Sequence, residues 1–539
     1  MPALTWQLKA SAKQAEAKAR IPAEWHLPAE LLQQTSRDKL SVLDIAKTCG
    51  LLTDRELFIT ESFDATALRD KLAAGEFSAV EVATAFCKRS AIAQQLTCCL
   101  TETMFPMALA RAQQLDEYLT LHGKPVGPLH GVPISLKETF NVKGVPSSLG
   151  LVSFLEHELA TKNSVLADIL LAAGTVFYAK TNVPQTMMTA DSHNNVFGRV
   201  LNPIHLNLTA GGSSGGEGAL VAIRGSILGI GTDIAGSIRI PALCCGIFGF
   251  KPSVGRVPYA KQASAGRPGM TGIAPVAGPL CHSARDAELL LKVVFDAHAD
   301  DMDDNALGLA WSDPAPRSSD TLTVGLFPED PKTPLHPSMQ RVLEEAVGKL
   351  KAAGHRIVDL SCKLPSLTDA ADISFKFFRI DPDKTVLGHV SKSGEPFIPS
   401  LRFTYDLTGN EPEPTLRGLF DLNAARAEIT GQMRKVFVDN KLDVILAPGY
   451  QSCAVPHDTF GVPVYTVIGN MIDYPACVIP FGHANEVADA KFVRDVTYVP
   501  NYLPKEVEGA PCHVQLIGRR LKDEELMKHA KVVEQVLSK

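Results

Sequence analysis

The chain has 539 residues, 45 % apolar and 21 % charged, which places it among ordinary globular proteins able to bury a large core. Its 53 basic and 59 acidic residues leave a formal charge of −6, and no basic run interleaved with aromatics stands out, which argues against a nucleic-acid partner. Eleven cysteines, among them the adjacent pairs Cys98/Cys99 and Cys244/Cys245, lack the Cys-x-x-Cys or Cys/His spacing of a zinc site and read as reduced thiols of a cytoplasmic protein.

The first stretch is polar, with Lys9, Lys13, Glu16, Lys18 and Arg20, and has no apolar run of the kind a secretory signal needs. Residues 1–60 read as a helical and extended lead-in, anchored by Trp6 and Trp25, with a loosely attached arm as the alternative. Ser78-Ala79-Val80-Glu81 matches a capping box ahead of a helix over Val80–Leu96, and Gly75 closes the helix before it.

From residue 130 onward, strand and helix patterns alternate. Val132–Lys137 reads as a strand, Val165–Ala173 as a helix stopped by Gly174, and Thr175–Lys180 as a buried strand. Helix Glu217–Arg224, a stop at Gly225 and strand Ser226–Thr232 repeat the order. Helix Ser338–Ala353 before strand Arg356–Leu360, and helix Leu422–Val438 before strand Leu442–Leu446, repeat it again. This alternation predicts an α/β fold with a largely parallel sheet covered by helices on both faces. The acidic, Pro- and Ser-containing stretch Asp296–Asp320 reads as a long surface loop inside one domain, since similar patterns lie on either side. Val514–Ile517 reads as a last buried strand and Lys522–Leu537 as a closing amphipathic helix. The most apolar segments, Val165–Tyr178 and Ala219–Ile230, are interrupted by Asp168, Gly174, Arg224 and Gly225, short of the ~20 residues of a membrane helix, so no membrane association is expected.

The strongest chemical signal is Gly211-Gly212-Ser213-Ser214-Gly215-Gly216-Glu217-Gly218, followed by Gly229-Ile230-Gly231-Thr232-Asp233-Ile234-Ala235-Gly236-Ser237-Ile238-Arg239. Glycines clustered around serines suit a backbone that turns tightly or lies close to a ligand. A flexible linker is disfavoured by the apolar patterns that hem both segments in. Phosphate binding is disfavoured too, because neither segment has a P-loop ending and Gly229-Ile230-Gly231 lacks the third glycine of a dinucleotide site. His130, His193 and His205 lie near these segments and offer a Ser/His/Asp triad as an alternative.

These two segments, with Gly131-Val132-Pro133-Ile134-Ser135-Leu136-Lys137 upstream and Cys245-Gly246-Ile247-Phe248-Gly249-Phe250-Lys251-Pro252 downstream, together resemble the amidase signature family. Ala179-Lys180-Thr181-Asn182-Val183-Pro184-Gln185, Asn470-Met471-Ile472-Asp473-Tyr474-Pro475-Ala476 and Val514-Gln515-Leu516-Ile517-Gly518-Arg519-Arg520 extend the resemblance over roughly residues 60–535. The last two segments and the Ile21-Pro22-Ala23-Glu24-Trp25 opening look most like fungal acetamidases and general amidases.

The resemblance implies an α/β/α sandwich on a large twisted mixed sheet over residues 61–539, and a triad of Ser237 as nucleophile, Ser213 after a cis peptide, and Lys137. Ser213 is preferred to Ser214 by the family's spacing, since 237 − 213 = 24. It implies an oxyanion site at the N–H groups of Ile234, Ala235, Gly236 and Ser237, and an acyl pocket touched by Met187 and Thr189. Ala235 stands where the family usually has glycine, so a positive φ there would strain it. Asp233 and Arg239 flank the nucleophile as a supporting ion pair. The chemistry needs no histidine, provided burial lowers the lysine from about 10.4 to near 7, roughly 4 kcal/mol of differential interaction. The expected activity is hydrolysis of a small-molecule carboxamide to carboxylate and ammonia through an acyl-enzyme, without metal or organic cofactor. The alternatives are a glutamine-hydrolysing subunit of an amidotransferase, which would need a partner, and a catalytically silent binding protein of this fold. A homodimer is what the family likeness suggests.

Overall fold

Side-chain caps and left-handed residues decide where the helices of this chain begin and end. The computed structural model describes residues 5–38, 40–315, 321–361, 363–408 and 411–539. The Ser78 hydroxyl accepts the Glu81 N–H at 3.0 Å and starts helix Ala79–Thr97. Only half of the anticipated capping box forms there, because the Glu81 carboxylate is drawn to the Arg55 guanidinium at 2.7 Å, a charge-assisted bond stronger than one to a neutral N–H. The reciprocal box sits two helices earlier, where Thr53 and Glu56 cap helix Asp54–Glu61. Gly174, at φ +97°, follows helix Val165–Ala172 as expected. Helix Gly215–Ala222 is different, for the left-handed residue after it is Arg224 (φ 57°), not Gly225. Arg224 is held by bonds to the carbonyls of Thr60 (2.7 Å) and Phe63 (2.6 Å), while a Cβ on Gly225 would press on the Leu220 side chain at 2.6 Å.

The strands are β1 (Leu100–Thr103), β2 (Pro133–Lys137), β3 (Val176–Thr181), β4 (His193–Asn194), β5 (Gly198–Arg199), β6 (Leu228–Asp233), β7 (Phe248–Lys251), β8 (Val276–Cys281), β9 (Thr323–Leu326), β10 (Arg356–Asp359), β11 (Val444–Ala447), β12 (Ala476–His483) and β13 (Pro511–Ile517). Eleven of them form one sheet in the order β1-β3-β2-β6-β8-β7-β12-β13-β11-β9-β10, and β4 pairs with β5 apart. The sheet is mixed, which corrects the largely parallel arrangement drawn from the alternation pattern. Parallel pairing holds in two blocks, β3-β2-β6 and β11-β9-β10, where helices do connect successive strands. Between them β8, β7, β12 and β13 run antiparallel to their neighbours, and strands brought together from such distant segments leave no local pattern of their direction. Helices pack on this sheet to complete an α/β/α sandwich, with one continuous apolar core reaching from Ile21 to Leu537.

The lead-in folds onto this body. Trp25 lies against Phe105 with ring centroids 5.4 Å apart, and Trp6 packs with Val196 and Phe197. Lys13 and Arg20 both pair with the buried carboxylate of Glu102, the former at 2.6 Å. Residues 316–320 of the acidic loop lie outside the described residues; its earlier part is tethered where the Asp303 carboxylate accepts the N–H groups of Tyr259 (2.7 Å) and Ala260 (2.8 Å). Among the described residues, no helix is long and apolar enough to cross a membrane.

Candidate active site

Lys137 is the last residue of β2, where parallel neighbours on both sides seal it from water. Its Nζ lies 2.7 Å from Ser213 Oγ and 2.7 Å from Thr232 Oγ1, the latter on the adjoining β6. Burial strips the ammonium of solvent and brings Lys137 down to about 7, against the smaller upward pull of Asp233 and, whenever it is ionised, of Glu217. About half of the amine is therefore neutral and available as a base at pH 7.

Ser213 enters through a cis peptide from Gly212. A Cβ on Gly212 would sit 2.4 Å from the Thr189 carbonyl, so only glycine lets this backbone pass. Ser214 is spent on structure: its hydroxyl meets both the N–H and the carbonyl of Thr232 at 3.3 Å, and its N–H donates to the Ser237 carbonyl at 3.2 Å. That last bond clamps the two Gly/Ser segments together. The hydroxyls of Ser213 and Ser237 open into the same cavity, but no hydrogen bond joins them.

The loop carrying Ser237 is shaped from behind by Asp233. Its carboxylate accepts the N–H of Gly236 (2.8 Å) and of Ile238 (3.1 Å), and binds Arg239 through Nε (3.1 Å) and Nη2 (3.0 Å). Burial pushes this carboxyl up, yet Arg239, with help from Lys251 and Asn470, outweighs it and holds Asp233 at about 2. Positive φ falls on Gly236 (127°) and not on Ala235, so alanine is unstrained in the place where glycine is usual. Thr466 Oγ1 fixes the peptide by donating to the Ala235 carbonyl at 2.7 Å. Of the four N–H groups expected at an oxyanion site, that of Gly236 is committed to Asp233; those of Ile234, Ala235 and Ser237 donate to no acceptor among the described residues.

The family profile described as Amidase matches residues 81–527. The chain belongs to the amidase signature family. It is 41 % identical to an amidase of Gibberella moniliformis over the whole of both chains, and 38 % identical to an acetamidase of Emericella nidulans over 99 % of this chain and 98 % of that one. Among solved structures, a fatty acid amide hydrolase superposes with a TM-score of 0.93 at 32 % identity, covering 99 % of this chain and 95 % of that one. A bacterial aryl acylamidase shares the fold at a TM-score of 0.71 and 22 % identity, over 88 % and 96 % of the two chains. This amidase is thus an amide-hydrolysing enzyme.

In the amidase site, two unequal spaces meet at Ser237: a small one of about 30 Å³ and a wide one of about 480 Å³. Met187 and Ile234 border both, whereas Thr189 and Ala235 border only the small one. Thr186 and Met187, at φ 69° and 60°, are successive left-handed residues without glycine, backbone strain set in the wall of the site. His130, His193 and His205 line neither space, and among the described residues no other histidine does.

Four amidase residues were invisible as site residues in the sequence. Thr232 is the second oxygen on Lys137, yet a threonine in a strand carries no signal of this. Asn470 and Gln515 accept from Arg239 at 2.7 and 2.8 Å, so the two C-terminal motifs brace the nucleophile loop from the far side of the sequence. Glu217 is wholly buried with Ser135 (2.5 Å) and Thr181 (2.9 Å) as hydroxyl partners, and burial lifts it to about 8 despite them. Its place inside a glycine run was the only hint.

Proposed function

We propose that this amidase hydrolyses carboxamides to carboxylate and ammonia through an acyl-enzyme on Ser237, with Ser213 and Lys137 as the proton relay. The observation that carries this reading is the buried Lys137 amine, bonded to Ser213 in the wall of a cavity that also holds Ser237. Neutral Lys137 withdraws the Ser213 proton, Ser213 withdraws that of Ser237, and the Ser237 oxygen attacks the amide carbon. The Ser213–Ser237 contact closes when substrate seats, as catalytic hydrogen bonds commonly tighten in the reactant complex. The unoccupied N–H groups of Ile234, Ala235 and Ser237 receive the oxyanion, each donor being worth about 10²- to 10³-fold in rate. The proton returns through Ser213 to the nitrogen, ammonia leaves, and water cleaves the ester by the reverse path.

Purified chain, with no added protein, should release ammonia from acetamide-sized amides and be labelled at Ser237 by a fluorophosphonate. Ser237→Ala and Lys137→Ala should each lower kcat by at least ~10³-fold while the fold persists. Full activity in either variant, or ammonia release only in the presence of a second protein, refutes the assignment.

A further inference from the structure

Resting on the acyl-enzyme reading, we propose that this enzyme also hydrolyses secondary amides that join a short acyl group to a bulky, uncharged, polar amine. The amine occupies the wide cavity and the acyl substituent the small one.

The direction follows from the proton route. Ser213 and Thr232, the two oxygens on Lys137, border only the wide cavity, while Gly212, Thr189 and Ala235 border only the small one. The leaving nitrogen takes its proton from Ser213, so it must face the wide side. The other substituent of the carbonyl carbon then points into the small space. That space of about 30 Å³ compares with the roughly 10–15 Å³ needed for a single water, enough for a methyl or ethyl group. Phe375, Phe378, Phe403 and Phe460 wall it in.

The wide cavity, at about 480 Å³, falls in the range of about 300–1,000 Å³ that holds ligands of drug size. Ammonia as the leaving group would leave nearly all of it empty. Its lining also carries polar atoms that are buried yet lack a partner among the described residues: Thr139 Oγ1, both ends of the Gln262 carboxamide, and Arg379 Nε. Thr139 is itself only 3 % exposed. Buried polar atoms without partners are uncommon, and here donors and acceptors converge on one space beside the leaving-group side of the nucleophile. On the rim Arg267 pairs with Asp381 and Arg379 with Glu411, while Lys261 and Lys384 add positive charge, so a cationic amine is disfavoured. Apolar walls at Met270, Ile273 and Phe377 suit a ring that carries the polar groups.

The Ser237 Oγ–acyl carbon bond forms, the C–N bond breaks, and the Ser237 proton passes through Ser213 to the nitrogen, which departs as a primary amine. Water then adds to the acyl ester, its proton returns to Ser237, and a short carboxylate leaves.

Two substrate series on the 539-residue enzyme test this. In one the acyl group stays acetyl and the amine grows from ammonia to benzylamine to 4-(aminomethyl)benzamide. In the other the product stays ammonia and the acyl group grows from acetyl to butanoyl to hexanoyl. The expected kcat/KM rises at least about tenfold along the first series and falls at least about tenfold along the second. Phe403→Ala should raise kcat/KM for hexanamide about tenfold, a gain that misfolding cannot mimic. Gln262→Ala should raise KM for the benzamide-bearing substrate more than for acetamide. Hexanamide turned over as well as acetamide by the unaltered enzyme, or inert acetylated amines, overturns the partition even where fluorophosphonate labels Ser237. Absence of labelling together with inertness toward every amide overturns the acyl-enzyme reading and this inference with it.

Discussion

Asp233 and Arg239 stand on either side of Ser237 in sequence and meet behind it through bonds of 3.0 and 3.1 Å, both side chains fully buried. Neither borders the cavities at Ser237, so the pair shapes the loop and does not touch substrate.

Breaking this pair leaves one buried charge uncompensated. Arg239→Leu is expected to destabilise the enzyme by about 3–5 kcal/mol, read as a lower urea midpoint at neutral pH. The pH dependence has a defined sign. Asp233 sits at about 2 when folded, below the value of about 3.9 for a free carboxyl. Its stabilising contribution is present above about pH 3.9 and is lost as pH falls through about 2. A urea midpoint unchanged by the substitution would show the pair to be dispensable.

The rate should depend on pH through Lys137. With the amine near 7, kcat/KM should climb as pH rises through that value and then level, because only the neutral form accepts a proton. Lys137→Arg, permanently charged, should lose at least ~10³-fold in kcat. A rate that is flat from pH 5 to 9 would remove the lysine from the mechanism.

Glu217 lies close enough to influence Lys137 and is neutral at pH 7, since burial has lifted it to about 8. Glu217→Gln should therefore leave the midpoint of the acidic limb within about 0.3 unit. An ionised Glu217 would instead hold the amine up, and its removal would shift that limb down by about a unit. The two profiles, recorded side by side, separate these cases.

The oxyanion loop offers a paired test. At Gly236, φ is 127° and a Cβ would lie 2.3 Å from Thr466 Oγ1, so Gly236→Ala should cost about 10²-fold in kcat by displacing the N–H groups. Ala235→Gly changes neither φ nor contact in this way and should stay within about threefold. Equal losses at the two positions would mean that backbone conformation is not what matters there.

Much of this was legible beforehand, and for identifiable reasons. Val165, Gly174 and Val176 announce a helix, its stop and a strand within twelve residues, because caps and β-branched runs act over short distances. Ser213 and Ser237 stood out because glycines bracket them. The direction of β7, β8, β12 and β13 was not legible, since pairing between distant segments depends on which surfaces the chain buries together. Arg224 and Glu81 misled in a smaller way: each local signal was outcompeted by a partner from another element, Thr60 in one case and Arg55 in the other.

The sequence by itself determined the family, the α/β class and the residue types capable of amide cleavage, because motif spacing and turn chemistry are local properties. Only the tertiary structure decided that Lys137 loses its water, that Asn470 and Gln515 reach Arg239, and that one side of Ser237 is narrow while the other is wide. Desolvation and cavity shape are made by groups converging from across the sheet, and no single segment contains them.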